Sequence, residues 1–354
     1  MDYESFKERL VKDLKAGLAG KGIENAKVNI RETEKLNQKY DALEITPADS
    51  IIGVSMNLSD AFSSYEKGSS FKSILNSMAN SVAEGLGKGP GIDVNAITDY
   101  EQMKGKLSME VVSAERNAEL LSHVPHEEME DMAVVYRLVL DQTSEGNGTV
   151  LVTDALMENY GITHEQLKAD AMKNAPEIRP SEIRGMTEVI NEIAPGQAEE
   201  IAPDDEEMFV ATVPDKIHGA GVIAYPNFME DAAKKLGGDF FVLPSSIHEV
   251  LLVKDNGETN AKELENIVRN VNASEVEPAE RLTDHVYHYD SKEHVFELAD
   301  KFEARQRDEE KSVEKGDKAS LLDDLQEKKA EVKEQTAGKA ARKSMNKTKG
   351  GEAI

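Results

Sequence analysis

The sequence predicts an α+β fold of two or more mixed modules, each made of short antiparallel strand pairs followed by a helix, with a charged, largely disordered C-terminal tail. Three observations predict it. Apolar runs of strand length, such as Phe240-Phe241-Val242-Leu243 and Val250-Leu251-Leu252-Val253, alternate with segments in which apolar residues recur at helical spacing. Glycine and proline clusters separate the segments. Beyond Phe302 the apolar period stops, while Glu, Lys, Arg and Asp of interspersed sign continue. The expected modules cover residues 1–90 (helix, hairpin, helix), 91–190 and 208–302, with an acidic linker at 191–207 and the tail at 303–354.

In chain order, Tyr3, Phe6, Leu10, Leu14 and Leu18 form one face of a first helix that Gly20 and Gly22 end. Ala26–Arg31 and Lys39–Ile45 read as a strand pair around a polar connection, Thr33–Asn37. A further apolar segment, Ile51–Leu58, follows Pro47, and a helix runs from Ser69 to Leu86 with Phe71, Ile74, Leu75, Met78 and Val82 on one stripe. The glycine run Gly85–Gly91 follows a helix and lacks a Lys-Ser/Thr pair, so it is a linker and not a phosphate loop.

In the middle module, Met132–Leu140 and Thr149–Thr153 pair around Thr143–Gly148, Asp154 caps a short helix through Tyr160, and Thr163 with Gln166 opens the next, Leu167–Asn174. His164 is then a first-turn residue, and Pro176 and Pro180 punctuate. Between Asn191 and Glu207 lie seven acids and two prolines without apolar period, the composition of an exposed connection.

The last module is expected as strand Met208–Val213, strand Gly221–Tyr225, helix Asn227–Leu236 stopped by Gly237-Gly238, and strand Phe240–Leu243. A turn, Pro244–Glu249, leads to strand Val250–Val253. Asn260 caps a helix with Glu263 in the reciprocal position, Asp284–Tyr289 is a final strand, and Val295, Leu298, Ala299 and Phe302 form one more helical face. The segments from Thr149 and from Gly221 resemble each other, as an old duplication or as any two strand–helix junctions would.

Composition excludes several functions. The 354 residues include no cysteine, which removes disulfides, thiolate zinc sites, iron–sulfur clusters and cysteine nucleophiles. With 68 acidic against 42 basic residues the net charge is −26, which repels phosphate backbones and argues against a nucleic-acid partner. No stretch approaches the length of a membrane span, and the acidic start Met1-Asp2-Tyr3-Glu4-Ser5 enters a helix instead of a signal peptide, which predicts a cytoplasmic protein.

The chemistry-bearing candidate is the turn holding Ser245, Ser246, His248 and Glu249, where two hydroxyls, an imidazole and a carboxylate sit beside buried strands. The alternative is a plain strand-to-strand turn, because proline presets φ and serine hydroxyls bond their own backbone. His123 and His126, and His285 and His288, are spaced three apart. Pro125 interrupts the first pair, and residues three apart on a strand point to opposite faces, so no metal and no cofactor is expected, with His123 and His126 the weak candidates. His218 reads as a hairpin-loop residue.

Three phrases in order resemble domain-of-unknown-function family 5688, a group of bacterial proteins from gut anaerobes. They are Ser64-Tyr65-Glu66-Lys67-Gly68; His123-Val124-Pro125-His126 with Asp131-Met132-Ala133-Val134-Val135-Tyr136-Arg137; and Leu243-Pro244-Ser245-Ser246-Ile247-His248-Glu249-Val250. The similarity runs from the N-terminus to about Tyr289, with Ile51–Leu58 departing by lacking a proline and a tyrosine before its asparagine. The resemblance implies no activity and no catalytic residue.

Two functions follow as expectations. The first is a non-catalytic protein-interaction or regulatory protein with an unidentified protein partner. The alternative is a small-molecule hydrolase using the Ser245–Glu249 turn, with His123 or His126 brought near. In the tail, Lys339, Arg342, Lys343, Lys347 and Lys349 place five positive charges within eleven residues, which predicts attachment to an acidic protein surface.

Overall fold

Asp2 caps the first helix, α1 (Tyr3–Ala19), by accepting a hydrogen bond from Ser5 N, and Phe6, Leu10, Leu14 and Leu18 form its buried stripe. The structure is a computed structural model that describes every residue except 36, 49–52, 89–93, 144–145, 199–200, 203–204, 309–310 and 312–354. The basic cluster from Lys339 to Lys349 therefore lies outside the described residues, as does the end of the glycine run.

The α1 stripe packs on a first antiparallel sheet of order β1-β2-β3, with β1 (Lys27–Lys35), β2 (Gln38–Thr46) and β3 (Val54–Asn57). Val28, Leu43 and Ile45 from this sheet join the stripe, together with Leu58 of α2 (Leu58–Glu66) and Ile74, Met78 and Val82 of α3 (Phe71–Lys88). The two long strands run through the expected polar connection as far as Lys35 and from Gln38, which makes the hairpin tighter than its composition suggests.

Short helices α4 (Val94–Ile97) and α5 (Tyr100–Met103) lead to β4 (Leu107–Ser113), all seven residues of which are buried. Helix α6 (Ala118–Leu121), β5 (His126–Met129), β6 (Met132–Thr143) and β7 (Gly146–Leu151) follow. β4 lies along one edge of β6, and β5 and β7 pair with its other edge at residues 132–135 and 137–143. Thr153 caps α7 (Asp154–Tyr160), so Asp154 is the first helical residue and not the cap. Thr163 caps α8 (His164–Ile178) as its spacing predicts, but the helix passes through Pro176, and Arg179 N still bonds to Ala175 O. A proline in the last turn costs one backbone bond and does not end this helix.

The third sheet has the order β13-β12-β10-β11-β9-β8. Its members are β8 (Glu182–Gly185), β9 (Met208–Thr212), β10 (Phe240–Leu243), β11 (Val250–Lys254), β12 (Tyr287–Asp290) and β13 (Val295–Leu298). Helices α9 (Met186–Ile193), α10 (Phe228–Leu236) and α11 (Ala261–Ser274) accompany it. Asn260 caps α11 by accepting from Lys262 N and Glu263 N.

Two expected elements take another form. Gly221–Tyr225 is no strand: Gly219–Ala224 is a 3-10 helix, entered through His218 in the left-handed region (φ 52°) and pressed against the backbone of β4. An apolar run reports burial, and here the burial comes from packing on a strand without joining a ladder. The Gly221 segment thus lacks the strand that the Thr149 segment has in β7. Val295–Leu298 is a strand and not part of a helical face, because the turn after β12, with His294 at φ 55°, returns the chain to the sheet. Residues Met1–Phe296 form one compact unit; in the second, Glu297–Ile354, a helix covers 299–308 and Arg305 pairs with Glu297 at 2.8 Å.

Candidate functional site

The turn between β10 and β11 is held by the segment that precedes β12. Ile247 N bonds to Glu280 O, Leu282 N bonds to Ser245 O, and Ser246 bridges Arg281. That segment is also tied to the first sheet by Asn37, whose Nδ2 donates to the carbonyls of Ala279 and Arg281 at 3.0 and 3.2 Å. Asn37 in turn exchanges hydrogen bonds with Asn117, which follows β4. Residues from Pro278 to Thr283 therefore act as a strap joining the surroundings of all three sheets.

Within the turn Ser246 and His248 have structural partners. Ser246 Oγ accepts from His248 N at 3.1 Å, the local serine bond that composition predicts. His248 Nδ1 accepts from His218 N at 3.1 Å, so in a neutral ring the proton resides on Nε2, which faces Glu280 Oε1 at 3.3 Å. Glu249 is exposed and takes no part; Glu280, from the strap, occupies the place of the expected carboxylate. Among the described residues no hydrogen bond links Ser245 or Ser246 to the His248 ring, so nucleophile and base are not assembled here.

Beneath His248 lies a polar cluster that joins β4, β6 and the 3-10 turn. Glu110, almost fully buried, faces Arg137 Nε at 2.9 Å, and His218 Nδ1 is 3.9 Å from the same carboxylate oxygen. The Glu110–Arg137 pair is close enough for strong Coulomb attraction but lacks the alignment of a hydrogen bond, so both atoms keep unused bonding capacity. Arg179, also buried, donates to Asp215 Oδ1 at 2.7 Å and to Ile217 O, which fixes the loop that carries His218. Burial pushes the His218 imidazole below its ordinary range; Glu110 opposes this, and Arg137, His248 and Arg179 reinforce it. Burial likewise raises the Tyr225 phenol to about 12.

The close fit of this loop explains its glycines. A Cβ on Gly221 would overlap the Met109 carbonyl and lie 3.1 Å from Glu110 Cα, and one on Gly219 would overlap Thr212 Oγ1 and lie 2.5 Å from His248 O. Lys216 and His218 hold φ of 56° and 52°, conformations that non-glycine residues seldom adopt and that cost on the order of 1 kcal/mol.

The histidine pairs do not form chelates. His123 is exposed after α6, and His126 Nδ1 lies 2.8 Å from Val124 O. His288 is fully buried against Asp255 Oδ2 at 2.9 Å, and burial pushes it below its ordinary range, whereas His285 sits at the surface on Asp131. Among the described residues no group of three or more His, Cys, Asp or Glu side chains is arranged to hold a metal ion. Glu110, Arg137, Arg179 and Glu280 carried no local signal, since each meets its partner across a long sequence separation.

No helix among the described residues is long and apolar enough to cross a membrane. Searches of curated proteins and of solved structures find no match. A family model, described as a family of unknown function (DUF5688), matches residues 3–291 and so spans all three sheets up to the end of β12. The chain belongs to the family of unknown function DUF5688.

Proposed function

We propose that the protein is a cytoplasmic bacterial protein-interaction or regulatory protein, and that α9 presents its partner surface. The observation that carries this is the exposure of α9: none of its residues is buried, and Ile190 and Ile193, three apart on one face, are exposed, Ile193 by 76%. The helix is nonetheless held firmly. Arg184 pairs with Glu188 at 2.9 Å and with Glu192 at 2.5 Å, Glu206 accepts from Thr187 N at the N-terminus, and Asn191 closes the following turn on Gly196 and Ala198. Fixed apolar side chains in water are costly unless another surface covers them. Glu188 and Glu192 lie off this face and are paired with Arg184, so the complementary partner is a protein surface with an apolar centre. The net charge of −26 disfavours nucleic acid in that role.

The alternative, a hydrolase using the Ser245–Glu249 turn, is less well supported because both His248 ring nitrogens already have partners. The test is affinity capture from a native lysate with the immobilised full chain and its Ile193→Asp variant. One protein held by the wild type and lost from the variant supports the proposal, and equal retention by both defeats it.

A further inference from the structure

The hairpin turn between β5 and β6 and the run into β12 meet at a cavity of about 530 Å³. Glu130, at φ 59°, turns the chain so that Asp131 faces residues 283–287, and Asp131 O accepts from Ala114 N to fix it. The Asp131 carboxylate then gathers three side-chain donors: Thr283 Oγ1 to Oδ2 at 2.8 Å, His285 Nδ1 to Oδ2 at 2.9 Å, and the Tyr287 hydroxyl to Oδ1. Thr283 is anchored in addition by its carbonyl, which accepts from Asn272 at 2.9 Å.

A carboxylate in its ionised form only accepts, so the proton between Asp131 and His285 belongs to Nδ1, and in a neutral ring the lone pair is on Nε2. Burial favours the neutral acid, but the bonds from Tyr287, His285 and Thr283 outweigh it and hold Asp131 below the ordinary carboxylate range. Among the described residues no hydrogen bond or ion pair reaches His285 Nε2, and the ring, 46% exposed, lines the cavity. Carboxylate, Nδ1–H and open Nε2 are the arrangement by which an imidazole is oriented as a proton acceptor and stabilised once it is charged.

We propose that His285 is the general base of a hydrolytic site for small acyl compounds bearing a negative charge, with Asp131 as its positioning residue. Arg116, pinned by its Nη1 bond to Pro278 O, lines the same cavity and supplies the guanidinium that takes the substrate's carboxylate; Arg269 lines it too but is paired with Glu265 Oε1 at 3.1 Å. Glu115 and Asp284 also face it; Asp284 is engaged by Asn272 at 2.6 Å. His285 Nε2 removes a proton from water as the water oxygen bonds to the acyl carbon. The tetrahedral intermediate then expels the alcohol, which takes the proton back from the imidazolium, so ester and water become acid and alcohol.

The full-length protein is assayed with 4-nitrophenyl acetate and with mono-4-nitrophenyl succinate, which adds a carboxylate. Wild type is expected to prefer the succinate, His285→Gln to lose about 100-fold in kcat/KM on it, and His294→Gln, at an exposed histidine outside this cavity, to lose nothing. Arg116→Gln raises KM for the succinate by a larger factor than it changes KM for the acetate. Asp131→Asn lowers kcat and shifts the rising limb of the pH profile, which a purely structural role would not do; urea midpoints confirm that each variant folds. Turnover by wild type no faster than by free imidazole at the same concentration, or undiminished in His285→Gln, overturns the assignment.

Discussion

Replacing Gly221 by alanine tests the packing of the 3-10 turn on β4. The added methyl would overlap the Met109 carbonyl and sit 3.1 Å from Glu110 Cα, both backbone atoms of a strand whose residues are all buried. Neither can rotate aside, so the turn must lift by about 1 Å to restore ordinary contact. Overpacking of this kind costs about 1–3 kcal/mol. The lift also strains the bond from Ala220 N to Ile247 O, worth about 1 kcal/mol when broken. The expected loss for Gly221→Ala is therefore about 2–4 kcal/mol, against little change for Gly238→Ala, where a Cβ meets nothing within 4 Å. Urea unfolding followed by circular dichroism and by tyrosine fluorescence, the chain having no tryptophan, measures both. A Gly221→Ala protein within about 0.5 kcal/mol of wild type would refute the packing.

Glu110→Ala strands Arg137 in a poorly solvated place and is expected to cost about 3–5 kcal/mol, while Glu110→Leu with Arg137→Met recovers most of it; urea midpoints of the three proteins check this. His218 is lowered by burial, so its neutral form belongs to the fold: stability is complete above the ordinary histidine range, falls as pH drops through it, and levels off below the folded value. His218→Asn, which tolerates the left-handed backbone, should flatten that part of the stability curve. Asp131 is held low, so its contribution is present above the ordinary carboxylate range and is lost as pH falls through its folded value. Acid unfolding of Asp131→Asn should then show a shallower decline than wild type below about pH 4.

Local chemistry made much of the fold legible. The cap pairs Thr163 with Gln166 and Asn260 with Glu263 lie where their spacing puts them, and the apolar runs at 240–243 and 250–253 pair as β10 and β11. The α1 and α3 stripes form the first core because burial and helical period agree there. At Gly221–Tyr225 they disagree: the run is buried, but a left-handed residue and two close-packed glycines make a turn of it. At Val295–Leu298 the same apolar residues fit either period, and strand pairing decides. The site was less legible for a different reason. Ser246 and His248 are two apart in sequence, yet the His248 ring is set by Glu280 and His218, and Asp131 meets His285 across 154 residues. Such pairings depend on how the strap crosses between sheets, which no local pattern encodes.

The central claim about the turn, that His248 orients the fold and is not a base for serine, rests on which ring nitrogen carries the proton. Long-range nitrogen–proton NMR correlation on uniformly labelled protein at neutral pH reads this directly. The expected result is a His248 ring with its proton on Nε2, with Nδ1 showing the shift of an unprotonated acceptor and a through-bond coupling to the His218 amide. A ring protonated on Nδ1, with Nε2 open to Ser245 or Ser246, would contradict it.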